Sequence, residues 1–295
     1  MRILVTGIEG MVGSEMWSEL VSRGHEVIPT DLKPTSPDTL KLDVRDRPTV
    51  EKMLKEMSPN LVIHLAAETD VDRCEQEPEY AYSTNSVGTE NVASQCQIYG
   101  VRLVYVSTAG VFDGEKPTPY IEGDMPNPVN VYGRSKLSGE YAVRHYVSAH
   151  QIVRAGWMFG GYSRDKKFVG KILRLLERQR TISVVTDKFG SPTFSEDLSR
   201  GIATLIDKEH FGVFHMTNCG VCSRYDVALK LVDILGRKDV TLLPITSDKF
   251  PLPAPRARSE AMDNRRLLSL GLDLMRGWEE ALEIYVRKII GEQAK

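Results

Sequence analysis

The stretch "RILVTGIEGMVG", residues 2–13, carries the most informative pattern in the chain. It opens with an apolar run and ends in three glycines at the spacing G-x-x-G-x-x-G: Gly7, Gly10 and Gly13. Glycines at a strand-to-helix turn let the backbone approach a pyrophosphate, whose charge then lies at a helix N-terminus with free N–H donors. A glycine triplet alone is weak evidence. Between the first predicted strand and the first predicted helix, however, it predicts a dinucleotide site.

The segments that follow alternate between strand and helix. Further apolar strands are predicted at "HEVIPTD", "NLVIHLAA", "VRLVYVST" and "HQIVRAG", and helices at "RPTVEKMLKEM", over 78–99 and around Tyr132. Strands that are almost wholly apolar and alternate with helices of ten or more residues indicate a parallel sheet covered on both faces. The predicted fold class is therefore α/β, with a doubly wound parallel sheet of the Rossmann type.

The regular alternation loosens after Gly156. A helix is predicted at "DKKFVGKILRLLER", a strand at "TISVVTD", an extended run at "KFPLPAPRARSEA" and a closing helix at "GWEEALEIYVRKIIG". We expect an NAD(P)-binding domain over residues 1–156 and a smaller substrate-binding lobe over 157–295. Within that lobe, residues from about 193 to 218 are expected to return and pack on the first domain.

Composition excludes several classes of function. The 295 residues carry a formal net charge of −2 with both signs interspersed, which argues against nucleic-acid partners. Without an apolar run of about 18 residues or a signal-peptide pattern, we expect no membrane contact and a cytoplasmic protein. Its four cysteines fit reduced thiols. The pair Cys219 and Cys222 is interpreted as part of a turn before a helix, so no metal site is predicted.

An acid after the second strand bears on the choice of cofactor. Asp31 ends "HEVIPTD", about 20 residues beyond the glycines, where the fingerprint expects a partner for the ribose 2′-hydroxyl. A carboxylate there favours NAD over NADP, although Lys33 softens the repulsion of a 2′-phosphate, so both cofactors are retained. Small residues at Ala66 and Ala67 would let the cofactor pass close to a strand end.

A tyrosine and a lysine four residues apart, Tyr132 and Lys136, follow the strand that ends in Thr108. A lysine one helical turn away stabilises a phenolate, so Tyr132 can exchange a proton with a carbonyl or alcohol oxygen. Thr108 lies where doubly wound sheets place ligand-contacting residues, and could orient that oxygen. Alone, such a pair is more often a surface feature of an amphipathic helix. Combined with the glycines and Asp31, it indicates hydride chemistry.

These residues resemble the extended short-chain dehydrogenase/reductases and, within them, the dTDP-4-dehydrorhamnose reductase group. The resemblance covers nearly the whole chain, through "VTGIEGMVG", "HLAAETDVDRCEQEPEYAYSTNSVGTENVA", "STAGVFDG", "VYGRSKLSGE", "RAGWMFGG", "FGSPTFSEDLSRGI" and "PRARSEAMDNRRLLSLG". It implies an NAD(P)H-dependent reductase of a 4-keto-6-deoxy nucleotide sugar. A homodimer is left open by the resemblance, because relatives pair in more than one way.

The resemblance also implies roles for individual residues. Thr108, Tyr132 and Lys136 correspond to the catalytic residues, and Lys136 also holds the nicotinamide ribose. The positions that correspond to cofactor contacts are Gly10, Met11, Val12, Asp31, Asp43, Val44, Ala67, Glu68 and Thr69. From the residues alone, an acid at Asp43 could hold the adenine amino group. Trp157 corresponds to a sugar contact, and the charge of Arg258 suits the substrate pyrophosphate.

One departure from the family pattern concerns the substrate. The family usually reads Ser-Thr-Asp-Tyr-Val-Phe where this chain has "STAGVF", residues 107–112. Without an acidic and an aromatic group beside the sugar, we expect a roomier and less polar pocket, and a related 4-keto nucleotide sugar as substrate. The alternatives are a nucleotide-sugar epimerase or dehydratase and a non-catalytic NADP-binding regulatory subunit, similar to that of methionine adenosyltransferase. Dehydratases need extra carboxylates beside the catalytic threonine, which Ala109 and Gly110 do not supply.

Overall fold

The computed structural model describes residues 1–272 and 274–293, and the side chains of these as far as residue 291. The strands are β1 (Arg2–Thr6), β2 (Glu26–Asp31), β3 (Leu40–Lys41), β4 (Leu61–His64), β5 (Arg102–Thr108), β6 (His150–Ala155), β7 (Met158–Phe159), β8 (Thr181–Val185), β9 (Phe189–Gly190), β10 (Thr193–Phe194), β11 (Gly212–His215), β12 (Cys222–Ser223), β13 (Thr241–Ile245) and β14 (Ser259–Glu260). The α-helices are α1 (Met11–Ser22), α2 (Arg47–Met57), α3 (Val71–Gln76), α4 (Pro78–Tyr82), α5 (Gly88–Tyr99), α6 (Val131–Tyr146), α7 (Phe168–Arg178), α8 (Ser195–Asp207), α9 (Arg224–Ile234), α10 (Arg265–Ser269) and α11 (Trp278–Gln293).

The main sheet is parallel throughout its described strands. Its order is β11-β6-β5-β4-β1-β2-β3. The chain runs outward from β1 to β3 on one side and from β4 to β6 on the other, so the direction of winding reverses between β1 and β4. In doubly wound sheets, ligands bind at the carboxyl ends of the strands beside this point. The predicted Rossmann fold is confirmed.

Both faces of the sheet are buried, as the apolar strands predict. On β1, Ile3 and Val5 contribute to the core under α1 and α8, whereas Leu4 contributes to the core under α2 and α5. Alternate residues of a strand point to opposite faces, so a strand covered by helices on both sides is apolar at every position.

Residues beyond 190 contribute to the main sheet. Strand β11 pairs with β6 in parallel register, from Gly212 beside Gln151 to His215 beside Arg154. Helix α8 packs on α1 through Leu198 and Ile202, which are fully buried. The division of the chain at residue 156 remains a prediction.

A second core lies among the later elements. Helices α7, α9 and α11 enclose buried apolar side chains together with the two-stranded parallel sheet β13-β8. A further small sheet, in the order β12-β9-β14, connects this core to the segment before α10. The Pro-rich run over 250–258 forms no helix or strand, in agreement with the expectation of an extended segment.

The helix predicted over 78–99 is present but interrupted. Between α4 and α5 the residues Ser83–Val87 form a π-helical turn, which is rare and occurs frequently at functional sites. The turn presents Asn85, whose buried side-chain amide accepts from the N–H of Glu68 (2.8 Å) and donates to the carbonyl of Glu68 (3.0 Å) and to Ser135 Oγ (3.0 Å). Asn85 thereby joins the loop after β4 to α6.

Candidate active site

Two glycines of the glycine loop have no room for a side chain, whereas the third borders open surface. Gly7 has a φ of +74°, and a Cβ there would lie 2.8 Å from the backbone nitrogen of Ala66. A Cβ on Gly13 would lie 2.4 Å from the carbonyl oxygen of Ile8. Gly10 is the N-cap of α1, and in the described part of the chain a Cβ there would meet only the carbonyl oxygen of Gly7.

The amino end of α1 therefore fits a dinucleotide pyrophosphate. No described side chain caps this helix, so the first-turn amides of Met11, Val12 and Gly13 have no partner within the helix. Amides of this kind bind anions, and the open surface at Gly10 lets a phosphate approach the backbone.

Asp31 lies beside this loop at the end of β2. Its carboxylate accepts from the backbone N–H groups of Glu9 (3.1 Å) and Lys33 (3.1 Å). A carboxylate offers about four lone-pair sites, so Asp31 can still accept a ribose hydroxyl. The position matches the prediction, while the role of Asp31 remains a proposal.

Glu9 adds a second carboxylate that the sequence reasoning missed. It accepts from the Thr35 hydroxyl (2.6 Å), the Thr39 hydroxyl (2.9 Å) and the backbone N–H groups of Thr35 and Ser36 (3.2 Å each). These hydrogen bonds lower the pKa of Glu9 to about 2 against a smaller opposing effect of burial. Its only signal in the sequence was an acidic residue inside the glycine motif.

The other predicted cofactor residues follow the ends of β3 and β4. Asp43 is paired with Arg45 (2.6 Å), whose hydrogen bonds lower the pKa of Asp43. The Val44 side chain is buried against Gly88, and the Val44 carbonyl accepts from the side-chain amide of Asn91 (3.0 Å). Three further residues follow β4: Ala66 and Ala67 are half-buried, and Thr69 is exposed and accepts from the ammonium of Lys167 through its carbonyl (2.8 Å) and hydroxyl (3.1 Å).

The predicted catalytic residues come together at the end of β5. Asn130 caps α6 by accepting from the N–H of Gly133 (2.8 Å), so Tyr132 and Lys136 lie on one face of its first turns. The Tyr132 phenol shares a hydrogen bond with the hydroxyl of Thr108. That hydroxyl also accepts from the N–H of Gly110 (3.0 Å), which fixes its orientation.

The local environment sets the protonation states of this group. Burial raises the pKa of Tyr132 to about 12, against the hydrogen bond from Thr108, so the phenol is protonated at neutral pH. Burial lowers the pKa of Lys136 to about 7, against the attraction of Glu140. The Lys136 ammonium donates to the carbonyl of Val106 (2.8 Å) and lies 4.1 Å from the centre of the Tyr105 ring.

A buried ion pair holds the helix against the strands. Glu140 lies one turn beyond Lys136 and accepts from Arg154 of β6 in a bidentate pair (2.8 and 2.7 Å) and from the Ser107 hydroxyl (2.6 Å). Both charged side chains are at most 1% exposed. Since Ser107 precedes Thr108, the pair fixes α6 relative to the end of β5. No sequence pattern predicted this pair, because the partners lie on separate elements.

The predicted substrate residues are less closely grouped. Trp157 has a φ of +44°, and its indole N–H donates to Glu260 (2.8 Å). The guanidinium that lies over the Trp157 ring, 3.5 Å from its centre, belongs to Arg224. Arg258 is exposed, and its carbonyl accepts from the N–H of Phe189 (2.9 Å). Sequence reasoning missed Arg224, at the start of α9, and Glu260, although Glu260 lies in a segment that carries the family resemblance.

Glu260 bears on the expectation of a less polar pocket, which stays a prediction. A Cβ on Gly110 would lie 3.6 Å from Glu260 Oε1 and 3.4 Å from Thr108 Oγ1. The chain therefore brings the Glu260 carboxylate against Gly110. The reason is tertiary, since the charge comes from β14 and about 150 residues of sequence separate it from Gly110.

Comparison with known proteins identifies the family. Residues 1–290 match the family model described as the RmlD substrate binding domain. The chain belongs to this family. It is 35% identical over 293 residues to a dTDP-4-dehydrorhamnose reductase of Mycolicibacterium smegmatis, which covers 98% of this chain and 86% of that protein.

Solved structures of the family agree over the whole fold. The crystal structure of a dTDP-4-dehydrorhamnose reductase from Clostridium acetobutylicum superposes with a TM-score of 0.92 at 36% identity, covering 98% of this chain and all of that one. A Bacillus anthracis dTDP-4-dehydrorhamnose reductase in complex with NADP gives 0.91 at 35% identity, covering 97% and 99%. The predicted resemblance is confirmed, as is the expectation of an oxidoreductase that uses NAD or NADP.

The remaining expectations concern the cysteines and the membrane. Cys74, Cys96, Cys219 and Cys222 form no disulfide. Cys222 is buried, with its pKa raised by burial to about 12, and Ser223 caps α9 with a capping box. Among the described residues, no helix has the length and apolar character needed to cross a membrane.

Proposed function

We propose that this member of the RmlD family is an NAD(P)H-dependent reductase that converts the 4-keto group of a 6-deoxy nucleotide sugar to an alcohol. The observation that carries the proposal is the hydrogen bond between Thr108 and Tyr132 at the carboxyl end of β5, with Lys136 behind it on the same helix. Relatives over nearly the full length are named dTDP-4-dehydrorhamnose reductases, which supports the substrate class.

The cofactor fits the loop at the amino end of α1. The amides of Met11, Val12 and Gly13 would hold the pyrophosphate, and Asp31 would accept the adenosine ribose hydroxyl. Asp43, the backbone of Val44 and the small residues Ala66 and Ala67 would border the adenosine, with Thr69 beyond them. When bound, the reduced nicotinamide supplies the hydride.

Tyr132 donates the proton in this reaction. With its pKa near 12 it is protonated at neutral pH, and a phenol positioned at a carbonyl oxygen polarises that oxygen before the proton moves. The hydroxyl of Thr108 binds the same oxygen and orients it. Lys136, one helical turn away, favours the phenolate that remains, because its positive charge lies on the same face.

The sugar side is assigned to Trp157 and Arg258. The fixed indole of Trp157 offers an apolar surface to a deoxysugar, and exposed Arg258 can pair with the substrate pyrophosphate. For both residues, the supporting observation is their position around the segment that carries Glu260, which faces Gly110.

A direct assay tests the proposal. Oxidation of NADH and NADPH is followed by loss of the reduced-nicotinamide absorbance, with a panel of 4-keto-6-deoxy nucleotide sugars that begins with dTDP-4-dehydrorhamnose. Turnover of at least one sugar is expected. Cofactor binding without turnover of any sugar would favour a regulatory protein. Internal return of hydride without net cofactor oxidation would favour an epimerase or dehydratase.

The proposal also covers the location of the protein in the cell and its oligomeric state. The buried thiols of Cys74, Cys96 and Cys222 are reduced, which suits the reducing cytoplasm, the location we propose. We also propose a homodimer, which the resemblance leaves open. Sedimentation equilibrium tests it, with a single species at twice the chain mass as the expected result.

A further inference from the structure

We propose that Glu260 is a substrate-binding residue that selects the sugar: one of its carboxylate oxygens accepts a hydrogen bond from a ring hydroxyl at C2 or C3. The inference rests on the proposed reductase function and deepens it. Three features of Glu260 support it: its place on β14, the bond of one oxygen to Trp157, and the approach of the other oxygen to Thr108.

The strand pair β9 and β14 places Glu260 in the site. The two strands are parallel, with Glu260 beside Gly190. Gly190 has no room for a side chain, because a Cβ there would lie 2.3 Å from Trp157 Cε2. The indole ring therefore lies against the backbone of β9, and its N–H reaches the carboxylate on the neighbouring strand.

One oxygen of Glu260 is used within the protein. Oε2 accepts from the Trp157 indole N–H at 2.8 Å, which orients both side chains. The guanidinium of Arg224, 3.5 Å from the centre of the same indole, is attracted by the Glu260 carboxylate. The indole N–H and the guanidinium thereby hold the Glu260 carboxylate in place.

The other oxygen faces the catalytic residues. Oε1 and the Thr108 hydroxyl border the same space in front of Gly110, 3.6 and 3.4 Å from the point where a Cβ would stand. Thr108 in turn bonds to Tyr132, and the charge of Glu260 acts on the Tyr132 phenol. A sugar whose C4 oxygen lies at Thr108 and Tyr132 would therefore present its neighbouring hydroxyls toward Glu260.

Glu260 could serve only to anchor Trp157, and the test must separate this role from substrate binding. Glu260→Gln keeps an oxygen for the indole N–H but turns an –NH₂ donor toward the sugar, so it preserves the anchor and removes the acceptor. Glu115→Gln, the same change at an exposed site, is the matched control. Affinity for dTDP, measured by calorimetry, reports whether the rest of the site is intact.

The experiment compares the parent 4-keto-6-deoxy nucleotide sugar with analogues that lack the 2-hydroxyl or the 3-hydroxyl. We expect the wild type to lose about 10- to 100-fold in kcat/KM on one analogue, the size expected for a hydrogen bond to a charged group. Glu260→Gln should lose a similar factor on the parent, mainly through KM, and should no longer distinguish the parent from that analogue. Its dTDP affinity should stay within about twofold of the wild type.

The outcomes separate the two proposals. If Glu260→Gln slows all three sugars equally, or keeps the discrimination of the wild type, Glu260 is an anchor only and this inference is overturned while the reductase stands. A wild type that turns over no sugar at all would end the reductase proposal, and the inference on Glu260 would fall with it.

Discussion

The cofactor side and the sugar side of the proposed site are constructed differently. The cofactor side is formed mainly by one short segment, residues 7–13, together with Asp31 at the end of the next strand, and it offers backbone amides to its ligand. The sugar side gathers single side chains from separate elements, among them Thr108, Trp157 and Glu260. A pyrophosphate is common to every dinucleotide, whereas sugars differ from one another in single hydroxyl groups.

This difference indicates where selectivity can change. A backbone cradle depends on glycine positions and on a helix terminus, so few substitutions preserve it. A pocket of individual side chains can change one contact at a time while the fold is retained. Here Gly110 carries no side chain, and the Glu260 carboxylate from another strand lies beside it. Four substitutions test this difference, in order of decreasing expected effect.

Tyr132→Phe should slow the reaction and leave the binding of the cofactor and of dTDP nearly unchanged. Removal of the phenol proton should lower kcat by about 10²- to 10⁴-fold, the usual contribution of a positioned general acid. Dissociation constants for the cofactor and for dTDP, measured by calorimetry, should change by less than about threefold. Tyr141→Phe, at an exposed position of the same helix, is the control and should behave as the wild type. A Tyr132→Phe enzyme as fast as wild type would refute the assignment.

Glu140→Gln should damage both sides together, because the ion pair with Arg154 lies beneath their common helix. Breaking a buried pair leaves an uncompensated charge and costs about 3–5 kcal/mol in the free energy of unfolding. Urea unfolding measures the loss. Glu283→Gln, which breaks the exposed pair with Arg287, should leave the midpoint unchanged. Equal stability of Glu140→Gln and the wild type would show that the pair does not anchor α6.

Lys136 should give the cofactor-free protein a distinctive pH dependence. Its pKa is about 7 in the folded chain and about 10.4 when unfolded, so between these values the folded state binds fewer protons. The free energy of unfolding of the wild type should therefore rise with pH across this window, relative to Lys136→Met, by at most about 1.4 kcal/mol per pH unit. Denaturant unfolding at several pH values tests this, and parallel curves for the two proteins would contradict it.

Glu9 and Asp31 should favour the binding of NAD over that of NADP. Two carboxylates near the adenosine ribose repel a 2′-phosphate, so Glu9→Gln should raise the affinity for NADP by about fivefold and leave that for NAD nearly unchanged. Calorimetric titration with both oxidised cofactors measures the ratio. Glu26→Gln, at the far end of β2, serves as the control. A constant ratio in Glu9→Gln would show that Glu9 only holds the loop of Thr35 and Thr39.

The same contrast explains how far the sequence could predict the structure. The parallel sheet and the glycine loop follow from local patterns, because periodicity and glycine spacing are properties of short segments. The pairing of Tyr132 with Thr108 was also predictable, since both lie at recognisable element ends. Glu260 and Arg224 were not, because only the alignment of β9 with β14 and the start of α9 bring them to Trp157. The buried contact of Glu140 with Arg154 was hidden for the same reason.

Net hydride transfer from cofactor to sugar defines the proposed reaction, and isotope labelling follows this transfer directly. NADPH or NADH carrying deuterium at the transferring position of the nicotinamide is incubated with the protein and a 4-keto-6-deoxy nucleotide sugar, and the product is examined by NMR and mass spectrometry. We expect oxidised cofactor and one deuterium at C4 of the sugar, both formed about 10²- to 10⁴-fold more slowly by Tyr132→Phe. A changed sugar that carries no deuterium, or deuterium that remains in the cofactor, would contradict it.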